Sequence, residues 1–182
     1  MSDSDLSTVT RWPNFPACYG WLSLDRRGCW RLQGEPVVHA GLIDFINRHY
    51  ASDDAGSWFV QNGPQRVFVQ PDYTPLVLRL EVDGRLTAHT GVAAGAADSV
   101  FIDDEGNALM HTAAGIGVLD DRDLAAFLDA CRRGDGEPAG EAAVLEAMAG
   151  RSGLLWNGLP VQSISRGDVA THFGFSAAPA PL

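Results

Sequence analysis

Apolar residues recur along this chain in short runs, and nearly every run ends at a glycine paired with an acidic or amide residue. Apolar–polar alternation over five to eight residues predicts half-buried strands, and the intervening Asp-Gly and Asn-Gly pairs predict hairpins. "YGWLSLDRRGCWRLQGEP" reads as two strands around an Asp-Arg-Arg-Gly turn. "GSWFVQNGPQRVFVQPD" reads as a hairpin signalled by Asn62-Gly63, with Pro64 arguing against a tight two-residue turn. "TPLVLRLEVDGRLTAHTG" turns at Asp83-Gly84; Val77, Arg79 and Glu81 alternate with Leu78, Leu80 and Val82, which predicts one buried and one wet face. "VFIDDEGNALMHT" turns at Asp104–Asn107, and "GLLWNGLPVQSIS" forms a further strand pair.

The spacing changes to that of a helix in two longer stretches. Val38, Leu42, Phe45, Ile46 and Tyr50 mark the first, in "VVHAGLIDFINRHYASDD". The second, "LDDRDLAAFLDACRRG", carries Asp120 or Asp121 as N-cap and Gly134 just past its end. Short helices are also expected at "EAAVLEAMAG" and "SRGDVATHF", the latter capped by Ser165.

The order hairpin, helix, hairpin occurs twice. Asp25, Gly28 and Phe45 in the first half answer to Asp103, Gly106 and Phe127 in the second, with about four residues inserted between. A competing alignment matches "WNGLPV" to "LQGEPV" and would begin a third unit. The predicted class is α+β, mostly antiparallel: two tandem hairpin–helix–hairpin repeats packed into one compact body. Residues 1–16 form a loose lead-in, 17–92 the first repeat, 93–175 the second and 176–182 a flexible tail. The small-residue run "GVAAGAAD" is the expected joint.

Composition narrows the function. The chain of 182 residues is 46% hydrophobic with a net charge of −10, and all 13 basic residues are arginines. Only Arg26-Arg27 and Arg132-Arg133 are adjacent, so the cation clusters that nucleic acid or an anionic membrane require are missing. No apolar run reaches the roughly 18–20 residues of a membrane span, and the acidic N-terminus lacks the pattern of a secretory signal. Three cysteines, Cys18, Cys29 and Cys131, without a paired motif fit free thiols in the cytoplasm; Cys29 and Cys131 are expected to be small buried hydrophobes.

Candidate chemistry is sparse. No cofactor loop, serine-hydrolase elbow or metal-ligand spacing is present, so no cofactor and no metal is expected. "DDEGN" lacks the closing Glu of a calcium loop and reads as an acidic turn. Trp12, Trp21, Trp30, Trp58 and Trp156 are read first as core, second as an aromatic binding surface. Trp30, Arg31, Trp58, Arg66, Trp156 and Arg166 are the candidate surface, its arginines serving as carboxylate or phosphate clamps. An enzyme reading would assemble His89, His111 and Asp103, with Arg66, in space.

The string "LDRRGCWRLQGEPV…LIDFINRHY…GSWFVQNGPQRVFVQPDYTPLV" resembles the bacterial domain-of-unknown-function family 1285 over about residues 21–80. The residues carrying the resemblance are Gly28, Trp30, Gly34, Pro36, Phe45, Gly56, Trp58, Arg66, Asp72 and Pro75. It implies two tandem, similar α+β subdomains, each a helix packed on a strongly curved, barrel-like antiparallel sheet, with no established activity and a suggested role in signalling or ligand sensing. The second half departs further from the family pattern. The expected function is thus a cytoplasmic binding or regulatory protein that recognises a small molecule or protein partner between its repeats. A small enzyme and a structural subunit of a larger complex are the rival readings.

Overall fold

The computed structural model describes residues 15–151 and 153–181. Trp12 and most of the expected lead-in lie outside the described residues. Two compact units are present: the first holds the described residues up to Asp25, Cys29–Asp72 and those from Gly174 on, and the second holds Arg26–Gly28 and Tyr73–Phe173.

In the first unit, strands β1 (Ala17–Leu24), β2 (Trp30–Leu32) and β3 (Glu35–Pro36) precede helix α1 (Ala40–His49), and β4 (Tyr50–Ser52), β5 (Trp58–Asn62) and β6 (Gln65–Pro71) follow it. The sheet order is β3-β2-β1-β6-β5-β4. Helix α1 starts at His39, whose Nδ1 accepts from the Leu42 N–H at 3.2 Å, and buries Leu42, Phe45 and Ile46. It contacts β5, and the sheet buries alternating residues: Leu22 and Leu24 of β1, Val60 of β5, and Val67 and Val69 of β6 are fully buried. Each such side chain contributes about 1.5–3 kcal/mol of burial.

The second unit contains β7 (Leu76–Leu80), β8 (Leu86–Ala88), β9 (Ala97–Asp103), β10 (Ala108–Thr112) and β11 (Gly115–Leu119). A 3₁₀ turn (Asp121–Asp123) leads into helix α2 (Leu124–Ala130), followed by β12 (Cys131–Arg133), helix α3 (Glu141–Met148), β13 (Leu154–Trp156) and β14 (Leu159–Ile164). A second 3₁₀ turn (Arg166–Asp168) opens helix α4 (Val169–Phe173). The eight strands run β12-β13-β14-β9-β10-β11-β7-β8, in a sheet that curls into a half-barrel.

Six of these eight strands reproduce the first sheet. The order β11-β10-β9-β14-β13-β12 answers strand for strand to β3-β2-β1-β6-β5-β4, and the senses agree, including one parallel pair in each, β1 with β6 and β9 with β14. The sheets are therefore mixed, with β7 and β11 as a third parallel pair. A strand that returns after a helix need not run antiparallel to the one it meets; hairpin turns fix only consecutive neighbours.

Topology also decides between the two repeat alignments. Asn157-Gly158 joins β13 to β14 and so corresponds to the β5–β6 corner, not to Gln33-Gly34 between β2 and β3. The "WNGLPV" and "LQGEPV" strings agree because both corners are two-residue turns with both residues at positive φ, 48° and 81° in one, 51° and 86° in the other. At the β5–β6 corner the turn is one residue later than expected. Asn62 pairs with Gln65, leaving Gly63-Pro64 as a tight turn. Gly63 supplies the positive φ of 55°, and the fixed negative φ of Pro64 suits the second position.

Other local expectations change for identifiable reasons. Both longer helices stop before the apolar spacing does, because Tyr50 and Cys131 already begin edge strands. Asp120 is the cap of the turn before α2, its side chain accepting from the Arg122 N–H at 3.0 Å, whereas Ser165 makes no side-chain cap. Val77 is buried although its alternation places it on the wet face, while Val82 is fully exposed at the β7–β8 turn. Val77 lies against Gly28, where a Cβ would meet its own Cβ at 3.6 Å. The expected joint is bound to β8 through Ala88 N–H to Val92 O and Ala94 N–H to Leu86 O. Cys18 and Cys131 are buried, but Cys29 is exposed: it closes the Asp25 turn, where its N–H donates to Asp25 Oδ1 at 2.9 Å. In the first unit Phe175 is buried, and Ser176, first residue of the expected tail, donates its N–H to Gly56 O at 2.9 Å.

Candidate functional site

The six residues of the expected aromatic–arginine surface divide between the units. In the first, Trp30 is buried and its indole N–H donates to Asn47 Oδ1 at 2.7 Å, while Tyr50 lies between it and Trp58 with centroids 5.0 and 4.8 Å away. Arg31 pairs with Asp25 at 3.2 Å, and Arg66 lies 4.4 Å over the Phe59 ring. In the second, Trp156 is buried against Phe127, and Arg166 lies 4.6 Å over the Tyr73 ring and bonds Glu105. Arg31 and Arg166 are thus engaged by carboxylates of the protein itself.

The three residues of the enzyme reading all lie in the second unit, each in its own network. His89 Nδ1 accepts from the Val77 N–H at 3.2 Å. His111 Nδ1 is 2.9 Å from both Asp98 oxygens, and its ring stacks on Phe173. Ser99 donates its hydroxyl to Asp98 at 2.8 Å, so that hydroxyl is committed to the carboxylate and not to the imidazole. Those two contacts hold the Asp98 carboxyl below its usual range.

Asp103 is fully buried. It accepts from Tyr73 Oη at 2.7 Å, from Asn107 Nδ2 at 2.7 Å, and from the N–H groups of Glu105 and Asn107 at 2.9 and 2.8 Å. Arg26 bonds Asn107 Oδ1 and lies 5.5 Å over the other partner, Tyr73. Burial, reinforced by the hydrogen bond to Asp103, pushes the Tyr73 hydroxyl far above its ordinary value. A hydroxyl held so firmly protonated braces the turn and is a poor proton donor near neutral pH. The thiol of Cys131 is likewise pushed up to about 11 by burial, which removes its nucleophilic form.

A feature with the shape of a binding site is a cavity of about 510 Å³ in the second unit. The curl of the sheet faces β8, last in the strand order, towards the β13–β14 turn near the other end. Gly84, Arg85 and Leu86 line one side, Trp156, Asn157 and Leu159 the other, and the run 93–97 supplies small residues between them. Arg85 is largely solvated and holds Asp83 at 2.6 Å, so the lining is apolar apart from its rim. The volume lies within the range of about 300–1,000 Å³ usual for small-molecule sites.

Of these lining residues the sequence singled out Trp156. It gave "GVAAGAAD" as a joint and Asp83-Gly84 as a turn, because nothing in a linear pattern reports that a sheet will curl until its edge strand faces a distant corner.

Comparison with known proteins settles the family. The DUF2944 model, described as "Protein of unknown function (DUF2946)", matches residues 1–180. The chain belongs to this family. No curated protein matches it. Among solved structures, a DUF1285 family protein from Silicibacter pomeroyi DSS-3 is similar at 15% identity, with a TM-score of 0.55 and coverage of 87% of this chain and 86% of that one. A DUF1285 family protein from Shewanella baltica OS155 is similar at 16% identity over 59% of this chain and 89% of that one, with a TM-score of 0.42. The DUF2946 chain therefore shares the α+β fold of the DUF1285 protein from S. pomeroyi, and the resemblance read from the sequence holds at the level of fold.

Proposed function

We propose that this protein is a cytoplasmic binding module, regulatory and not catalytic in role, that takes a small apolar molecule into the curled sheet of its second unit. The observation that carries this reading is the cavity of about 510 Å³ between β8 and the β13–β14 turn. Two features support it. The polar residues that sequence reading offered for catalysis are held in separate structural networks: Asp103 in its turn, His89 on the Val77 N–H and His111 on Asp98. The cavity lining is dominated by Leu86, Leu159, Trp156 and alanines, which favour an uncharged or weakly polar occupant. Three free cysteines, one of them exposed, suit a reducing compartment.

A thermal-shift screen of the pure protein against small apolar molecules tests the proposal. A ligand held only by the native state stabilises it by about 2.7 kcal/mol at 100 times its Kd, so saturable increases in Tm are expected. A broad library that leaves Tm unmoved removes the reading.

A further inference from the structure

The cavity contains a chemical instruction beyond its size. Trp156 is 3% exposed, and its indole Nε1–H is buried with no hydrogen-bond acceptor among the described residues. Buried polar groups are nearly always paired, and an indole N–H can only donate. The contrast with Trp30 is direct: there the indole has Asn47 as its acceptor. At the topologically equivalent position in the first unit stands Val60, which pairs with Tyr50 as Trp156 pairs with Cys131 and has no donor to satisfy. The unpaired donor therefore has no counterpart at that position of the first unit, and Trp156 is one of the cavity's own lining residues.

We propose that the ligand class of this site is an aromatic or otherwise bulky apolar molecule bearing one neutral hydrogen-bond acceptor, a ketone or ester carbonyl, which receives the Trp156 indole N–H. This rests on the cavity reading above. A carbonyl fits better than a carboxylate. The guanidinium at the rim, Arg85, is already paired with Asp83, so a buried negative charge would have no free counter-charge among the lining residues. The N–H is shielded from solvent, so the proposal includes a local shift of the lining that brings the acceptor to it.

The test uses two probes of nearly identical shape, benzophenone and 1,1-diphenylethylene, which differ in a carbonyl oxygen against a methylene. Affinity is measured by titration, and the Trp156 indole resonance is followed by NMR of the ¹⁵N-labelled full chain. The expected result is benzophenone binding at least five-fold tighter, with a downfield shift of the Trp156 indole proton that the hydrocarbon does not produce. Trp156→Phe should equalise the two affinities; the resonance shift in the unaltered protein carries the test if that variant folds poorly. Equal affinities with an unmoved indole resonance overturn the inference and leave the cavity reading standing. Failure of both probes to bind overturns the inference, and the thermal-shift screen then decides the cavity reading.

Discussion

The two repeats share strand order, strand sense and helix position, yet their corners carry different loads. The first unit closes the β4–β5 connection with the five-residue turn Asp53–Ser57. The second places the same turn, Arg133–Glu137, after β12, then inserts α3 before β13 and adds β7 and β8 beyond β11. The second sheet, extended in this way, curls around the cavity of about 510 Å³. A duplicated fold can hold its architecture with one copy while the other gains strands, and here the extended copy holds that cavity, in which binding is to be sought.

Equivalent glycines give the sharpest test of that contrast. Gly56 has φ of 77°, and a Cβ there would sit 2.0 Å from Gly174 O, in the first unit's own contact with its C-terminal segment. Gly136, the matching residue of the second unit, has φ of 87° and open space around it. Gly56→Ala should cost roughly 3 kcal/mol or more, from a left-handed alanine plus a backbone clash, and Gly136→Ala only about 1–2 kcal/mol. Chemical denaturation of the two variants measures the gap; equal costs would break the correspondence.

The matching aspartates come next. Asp103 is buried under four hydrogen bonds, whereas Asp25 is partly exposed and bonds Arg31 and the Cys29 N–H. Asp103→Asn is expected to cost about 3 kcal/mol and Asp25→Asn about 1 kcal/mol, because only the first leaves buried donors competing for a neutral partner. Tyr73→Phe, which removes one of those donors, should cost about 1.5 kcal/mol.

A smaller effect concerns Asp120, whose carboxyl is lowered from 3.8 to about 2, chiefly by the Arg122 side chain 2.6 Å away, against the opposing effect of burial. A folded value below the unfolded one means the contribution is fully present above about pH 4 and is lost as pH falls towards 2. Asp120→Asn should flatten that part of the stability–pH curve. An unchanged acid limb would show that the pair contributes nothing measurable.

Much of the architecture was readable from local pattern. The Asp-x-x-Gly turns at Asp25 and Asp103 and the helices carrying Phe45 and Phe127 follow from glycine placement and apolar spacing, which are local properties of the backbone. The parallel pairing of β1 with β6, the burial of Val77 and the curl of the second sheet depend on residues far apart in the chain, and no window of sequence contains them. The candidate site suffered most from this. Trp156 was legible as an aromatic, but its unpaired indole and the alanine-rich wall beside it exist only once β8 faces the β13–β14 turn.

Occupancy of that space is the decisive quantity. Ala96 lines the cavity from an exposed position, so Ala96→Phe fills it without disturbing the buried core. Calorimetric titration of benzophenone into the unaltered protein should show saturable one-to-one binding, and into Ala96→Phe a loss of at least ten-fold in affinity. The same affinity in both proteins would place the binding elsewhere and contradict the account.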